Sequence, residues 1–179
     1  MSTVHMYLFS KSSDEKGFCK RAIKELKKAK IIDSVEDGDI IYSEESDEDL
    51  DIEGSGGDRV IIQKTPAAIP EEYDTYGGLC PKCDTDLGDD FTKLFMACLA
   101  DGMLEEEDKP KISSKTAKCP SCNWIGSFED VKCSEPDMKF YLRSEYIGIY
   151  DTYTDDPEYW KERFEELIPD SIALISHGA

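Results

Sequence analysis

The chain has 179 residues, 39% apolar and 34% charged, with nine Tyr, seven Phe and two Trp. A chain this long and this aromatic buries a real core, which excludes a wholly disordered protein and makes covalent staples optional. Forty acidic residues against 21 basic give a formal net charge of −19, which repels phosphate backbones, disfavours direct nucleic-acid binding and favours a basic protein partner.

The opening stretch, MSTVHMYLFSKSSDEKG, has no basic segment followed by an apolar run and a small-residue cleavage site, and no run of about eighteen apolar residues follows it. The expectation is a soluble, cytoplasmic protein with no membrane role. Seven cysteines in such a chain point to metal ligation plus reduced thiols rather than a disulfide framework.

In chain order, TVHMYLF predicts a strand with Val4, Met6 and Leu8 on one face and His5, Tyr7 and Phe9 on the other. A helix follows, capped by Ser12, Ser13 or Asp14, with an apolar stripe of Phe18, Cys19, Ala22, Ile23, Leu26 and Ala29. Its other face carries Lys16, Lys20, Arg21, Lys24, Lys27, Lys28 and Lys30. With a net charge of about +4 over residues 14–30, it reads as the only basic patch, mostly solvated and paired internally.

From Asp33 to Asp58 there are twelve carboxylates and no Lys or Arg, and DIIY is the one convincing strand. The segment 44–58 reads as a mobile acidic loop. Asp47, Asp49 and Asp51 alternate as calcium ligands would, but the glycine and terminal glutamate of an EF-hand are missing, so solvation is the better reading. RVIIQKT is a second strand, able to form a hairpin with DIIY across that loop.

After a Pro- and Gly-punctuated connector comes LCPKCDTDLG, answered thirty-five residues after Cys83 by KCPSCNWIGSF. Cys-x-x-Cys lets two thiolates from one tight turn reach a single ion, and two such turns complete a tetrahedral site from Cys80, Cys83, Cys119 and Cys122. Proline follows the first cysteine of each pair, suiting the turn. Asp84 and Asn123 follow the second, where the chain swings into the left-handed region.

These turns resemble the paired Cys-Pro-x-Cys-Gly knuckles of the zinc-ribbon family in every feature but the glycine, over residues 78–131. The resemblance implies a structural Zn2+, with iron in a rubredoxin-like four-thiolate site as the competing metal. It also makes CPSCNWIGSFEDV a second ribbon hairpin, with Trp124, Ile125 and Phe128 covering one side of the site. Common ribbons have about 15–20 residues between their pairs, so a helical insertion is needed. DDFTKLFMACLADGML, capped by Asp89 or Asp90, is the candidate.

MKFYLRSEYIGIY supplies further strand. DDPEYWKERFEELIP is the best-marked helix, with Asp156 as cap, Pro157 in the first turn, and Trp160, Phe164, Leu167 and Ile168 buried. SIALIS makes a last strand. The whole predicts an α+β fold, a small mixed or antiparallel sheet with packed helices and an inserted four-cysteine lobe. The expected organisation is an αβ segment 1–70 with the acidic loop, a ribbon-like lobe 78–135, and a strand–helix–strand segment 136–179 packed with the first.

A closed four-thiolate set offers no open coordination position. His5 and His177 are far apart in sequence with no nucleophile placed beside either, and no Gly-rich phosphate loop or hydrolase elbow is present. No catalytic residue is assigned. Cys19 and Cys98 read as core thiols, and Cys133 as a spare. The function expected is a non-catalytic adaptor or inhibitor of a basic partner, of the nuclease-neutralising type. The alternatives are an iron-bearing redox module and a ribbon contacting transcription or translation machinery.

Overall fold

The computed structural model describes residues 4–12, 14–44, 57–69, 77–100, 107–112, 114–152 and 156–177. The fold is α+β, and the chain divides into two compact units, one made of Met1–Pro66 with Arg143–Ala179 and the other of Ala67–Leu142.

The first unit is organised on a six-stranded antiparallel sheet. In chain order its strands are β1 (Val4–Ser10), β2 (Ile32–Glu36), β3 (Asp39–Tyr42), β4 (Arg59–Ile69) and β9 (Tyr141–Thr152), closed by β10 (Ser171–His177), and they lie side by side as β10-β1-β9-β4-β3-β2. β1 is central, pairing Leu8 with Ala173 on one side and with Ile147 on the other. All seven of its residues are buried, because the sheet is covered on both faces there. His5 is one of them, its ring edge-on to Tyr150.

Helix α1 (Phe18–Lys28) buries Phe18, Cys19, Ala22 and Leu26 of the expected stripe. Its capping differs from the expectation. Asp14 accepts hydrogen bonds from the Ser144 amide and hydroxyl instead, and Ser13 lies outside the described residues. The cap residue is Gly17, at φ 93°, with no side chain to offer. The orphan amides of the first turn are satisfied from β9, where the buried Glu145 carboxylate accepts from Gly17 N at 2.8 Å and Cys19 N at 3.1 Å.

DIIY and RVIIQKT do pair, as β3 and β4, through Asp39 and Arg59. The acidic stretch also holds a second strand that the composition concealed. IDSVE forms β2, joined to β3 by a two-residue turn at Asp37 and Gly38, whose φ angles of 51° and 91° are those a tight hairpin demands. Asp58 is buried, accepting from the Tyr42 hydroxyl and the Tyr150 amide, each at 2.7 Å. Burial, and then the Asp58 carboxylate, hold the Tyr42 phenol well above its ordinary range. The calcium reading of Asp47, Asp49 and Asp51 lies outside the described residues.

Helix α3 (Pro157–Leu167) begins as the sequence predicts, with Asp156 accepting from Tyr159 N at 3.0 Å and Pro157 in the first turn. Trp160, Phe164 and Ile168 are buried. Glu165 accepts the amide of Ala173 at 3.0 Å, so α3 occupies part of the hydrogen-bonding edge that β10 would otherwise present.

Among the described residues the second unit holds two short two-stranded antiparallel sheets and one α-helix. β5 (Gly78–Leu79) pairs with β8 (Lys132–Cys133), and β6 (Thr116–Lys118) pairs with β7 (Ile125–Ser127). Helix α2 (Gly88–Ala97) lies between the cysteine pairs in sequence. It starts two or three residues earlier than expected, with Leu87 at the cap position and no side-chain cap, while Asp89 and Asp90 sit in the first turn. There their charge still meets the positive end of the helix.

The core of this unit is aromatic. Phe91 and Phe95 of α2 stack on Phe128 at centroid distances of 5.3 and 5.5 Å, and Phe140 meets Phe91, Phe95 and Phe128 edge-on at 5.0–5.7 Å. Gly78 makes this packing possible, since a Cβ there would lie 2.4 Å from the Phe91 ring.

Candidate metal centre

The two Cys-Pro-x-Cys turns form matching knuckles. In the first, the Asp84 amide donates to Cys80 O at 3.0 Å and the Cys80 amide to Thr85 O at 2.9 Å; in the second, the Cys119 amide donates to Trp124 O at 2.8 Å. Backbone amides also approach sulfur, Lys82 N to Cys80 Sγ at 3.4 Å and Cys122 N to Cys119 Sγ at 3.5 Å. Asp84 and Asn123 stand at φ 56° and 58°, the left-handed conformation expected from their place after each second cysteine.

The four sulfurs converge. Their Sγ atoms all lie within 4.8 Å of one another, with Cys80 to Cys122 and Cys83 to Cys119 each at 3.6 Å. A disulfide would bring two of them to about 2.05 Å. Tetrahedral coordination with metal–sulfur bonds of about 2.3 Å places sulfurs roughly 3.8 Å apart, so the cluster has the size of a four-thiolate metal site. The donor set and the spacing both fit one ion. Cys80 and Cys119 are buried, while Cys83 and Cys122 face solvent. The site is therefore half sunk into the aromatic core.

The two solvent-facing thiols differ in acidity. The Thr85 hydroxyl, 3.2 Å from Cys83 Sγ, and then the Thr85 amide hold Cys83 down to about 6. The Trp124 amide lowers Cys122, but lost hydration and the three neighbouring sulfurs outweigh it and push that thiol up to about 11. Each proton remaining among them must leave for a cation to enter, so metal affinity rises with pH.

Of the three residues expected to cover the site, Phe128 is buried, Trp124 is half-buried against the core, and Ile125 is 59% exposed. The correction follows from strand alternation. In the β6–β7 hairpin Ile125 pairs with Lys118 on the outer face, whereas Ala117, its neighbour along β6, points into the core. Gly126 leaves room for the Trp124 ring, which a Cβ would meet at 2.2 Å. Cys133 belongs to β8, opposite Gly78, and is outside the cluster. Cys19 is buried in the first unit, its Sγ 3.5 Å from Tyr146 O, and burial raises it to about 12.

Sequence reasoning missed one charged feature. Residues 109–118, KPKISSKTAK, carry four lysines and no carboxylate, so the first helix is not the only basic patch. Comparison of the chain with protein-family models, with curated proteins and with solved structures gives no match. Among the described residues no helix is long and apolar enough to cross a membrane.

Proposed function

We propose that Cys80, Cys83, Cys119 and Cys122 hold one structural zinc ion in a zinc-ribbon-like lobe. On this reading the chain is a non-catalytic acidic protein that docks a basic protein partner as an adaptor or inhibitor, for instance of a nuclease. The observation that carries the metal half is the convergence of four sulfurs within 4.8 Å on two knuckles far apart in sequence. Four thiolates fill a tetrahedral zinc ion and leave no position for water or substrate, so its work is to fasten two chain segments together. Reduced thiols suit a cytoplasmic setting.

The partner half draws its support from the net charge of −19. A surface of one sign speeds encounter with an oppositely charged protein and discriminates against acidic ones. Elemental analysis of protein purified from its own host should return one zinc per chain and a colourless solution. A visible charge-transfer band would assign iron and move the reading to electron transfer. Co-purification should recover a basic protein whose association slows steeply with added salt; binding indifferent to salt contradicts the electrostatic reading.

A further inference from the structure

A groove of about 550 Å3 in the second unit has Leu94, Ile112 and Ala117 in its apolar lining and Lys93, Lys111 and Lys118 around them. We propose that this groove docks a short acidic peptide segment of a partner protein, seating an apolar side chain on the floor while its carboxylates meet the three lysines. The proposal is independent of the basic-partner reading but rests on the metal-held fold of this unit, which is why the metal-loaded chain is the one tested.

Three observations carry it. The lysines converge from different elements, Lys93 from α2, Lys118 from β6 and Lys111 from the segment before it, and among the described residues none of the three is in an ion pair. In a chain of net charge −19, three exposed cations share this groove with Asp90 as the one carboxylate among its described lining residues, a positive charge that an anion would offset. Second, the volume lies in the range of about 300–1,000 Å3 that suits a bound group, yet the groove is about half open rather than enclosed. An extended chain crossing it fits that shape better than a small molecule needing enclosure. Third, the hydroxyls of Ser114 and Thr116 lie in the same lining, hydrogen-bonded to each other at 2.8 Å, which leaves one of the two O–H groups to donate to a peptide carbonyl.

Charge alone would also admit single-stranded nucleic acid. Such ligands stack their bases on exposed aromatic rings. Among the described lining residues the one aromatic is Phe91, whose ring is stacked on Phe128 and packed against Phe140 and so offers no free face to a base. With no stacking platform and a strongly negative chain around it, the groove favours carboxylates on a peptide.

The test uses the full metal-loaded chain and a short fluorescein-labelled peptide of alternating Glu and Leu, with an oligo-dT strand and an all-Glu peptide as comparisons. Anisotropy at low salt should show saturable binding of the Glu/Leu peptide, weaker binding of the all-Glu peptide, and little of oligo-dT. Lys93→Glu with Lys118→Glu should weaken the Glu/Leu peptide by at least about tenfold, with circular dichroism unchanged because both side chains are exposed. Lys20→Glu with Lys24→Glu on α1 should leave it unaffected. Absence of saturable peptide binding overturns the proposal. So does equal loss in the α1 variant, which would mean diffuse charge attraction, or tighter binding of oligo-dT than of the peptide.

Discussion

At the scale of single residues, the positions after the paired cysteines show how backbone geometry constrains side-chain choice. Asn123 stands at φ 58°, where a β-branched side chain is strained by about 1–2 kcal/mol and glycine is not. Asn123→Val should lower the unfolding free energy by roughly that amount, and Asn123→Gly should be neutral or gain up to ~1 kcal/mol, measured by urea titration of the metal-loaded chain. Asp84 is a less clean test, since Lys132 Nζ lies 2.6 Å from its carboxylate. Cys19 illustrates the opposite kind of constraint, burial without geometry. Its folded acidity near 12 sits above the unfolded value of about 8.5. Its neutral form is therefore favoured on folding, and stability falls as pH rises from about 8.5 toward 12. A thiol reagent at pH 8 should leave Cys19 unmodified until the chain unfolds; rapid labelling of the native protein would contradict the buried placement. Both the left-handed positions and the burial of Cys19 were legible in the sequence, one from the knuckle pattern and the other from the helical stripe.

At the scale of elements, α1 is the instructive case. Its sequence suggests a local cap, yet the carboxylate that receives its first amides belongs to Glu145, 126 residues from Cys19. Glu145→Ala should cost about 1.5–3 kcal/mol, the range for charged hydrogen bonds. Glu145→Gln should recover only part, since its amide nitrogen would face a backbone donor. Glu15 ties the approach to α1 in a different way. The Arg21 guanidinium, at 3.0 Å, and then the Ser10 hydroxyl hold its carboxyl below the usual range. That contribution is fully present above the unfolded value of about 4.3 and is lost as pH falls through the lowered folded one. Glu15→Gln should therefore flatten the acid limb of the stability profile. The effect should be small, because the side chain is 37% exposed and screened by water. α3 needed no such remote partner. Asp156 and Pro157 are adjacent to the helix they start, so a window of a few residues contained the whole signal. The Asp37-Gly38 hairpin was equally local and equally readable, but the surrounding run of carboxylates masked it.

At the scale of the whole molecule, the two units draw stability from different sources. The first has a continuous sheet whose central strand is fully buried. The second has four phenylalanines, two small sheets of two or three residues per strand, and the sulfur cluster. Strands this short contribute little by themselves, so a bound ion should supply much of that unit's folding free energy. Chelation at neutral pH should collapse amide-exchange protection at Cys80, Leu87, Cys119 and Val131 while β1, β9 and β10 retain theirs. Simultaneous loss in both units would contradict this division. Local spacing and composition in the sequence determined the four-cysteine cluster, the left-handed knuckle positions, the α3 cap and the α+β class, because each depends on neighbours within a few residues or on periodicity along one element. Only the tertiary structure decided that Glu145 caps α1, that Ile125 faces outward, that Asp58 is buried between Tyr42 and Tyr150, and that Lys93, Lys111 and Lys118 line one groove. Those outcomes depend on which distant segments are brought together, and the free energy of such contacts is set by geometry that no local window of residues contains.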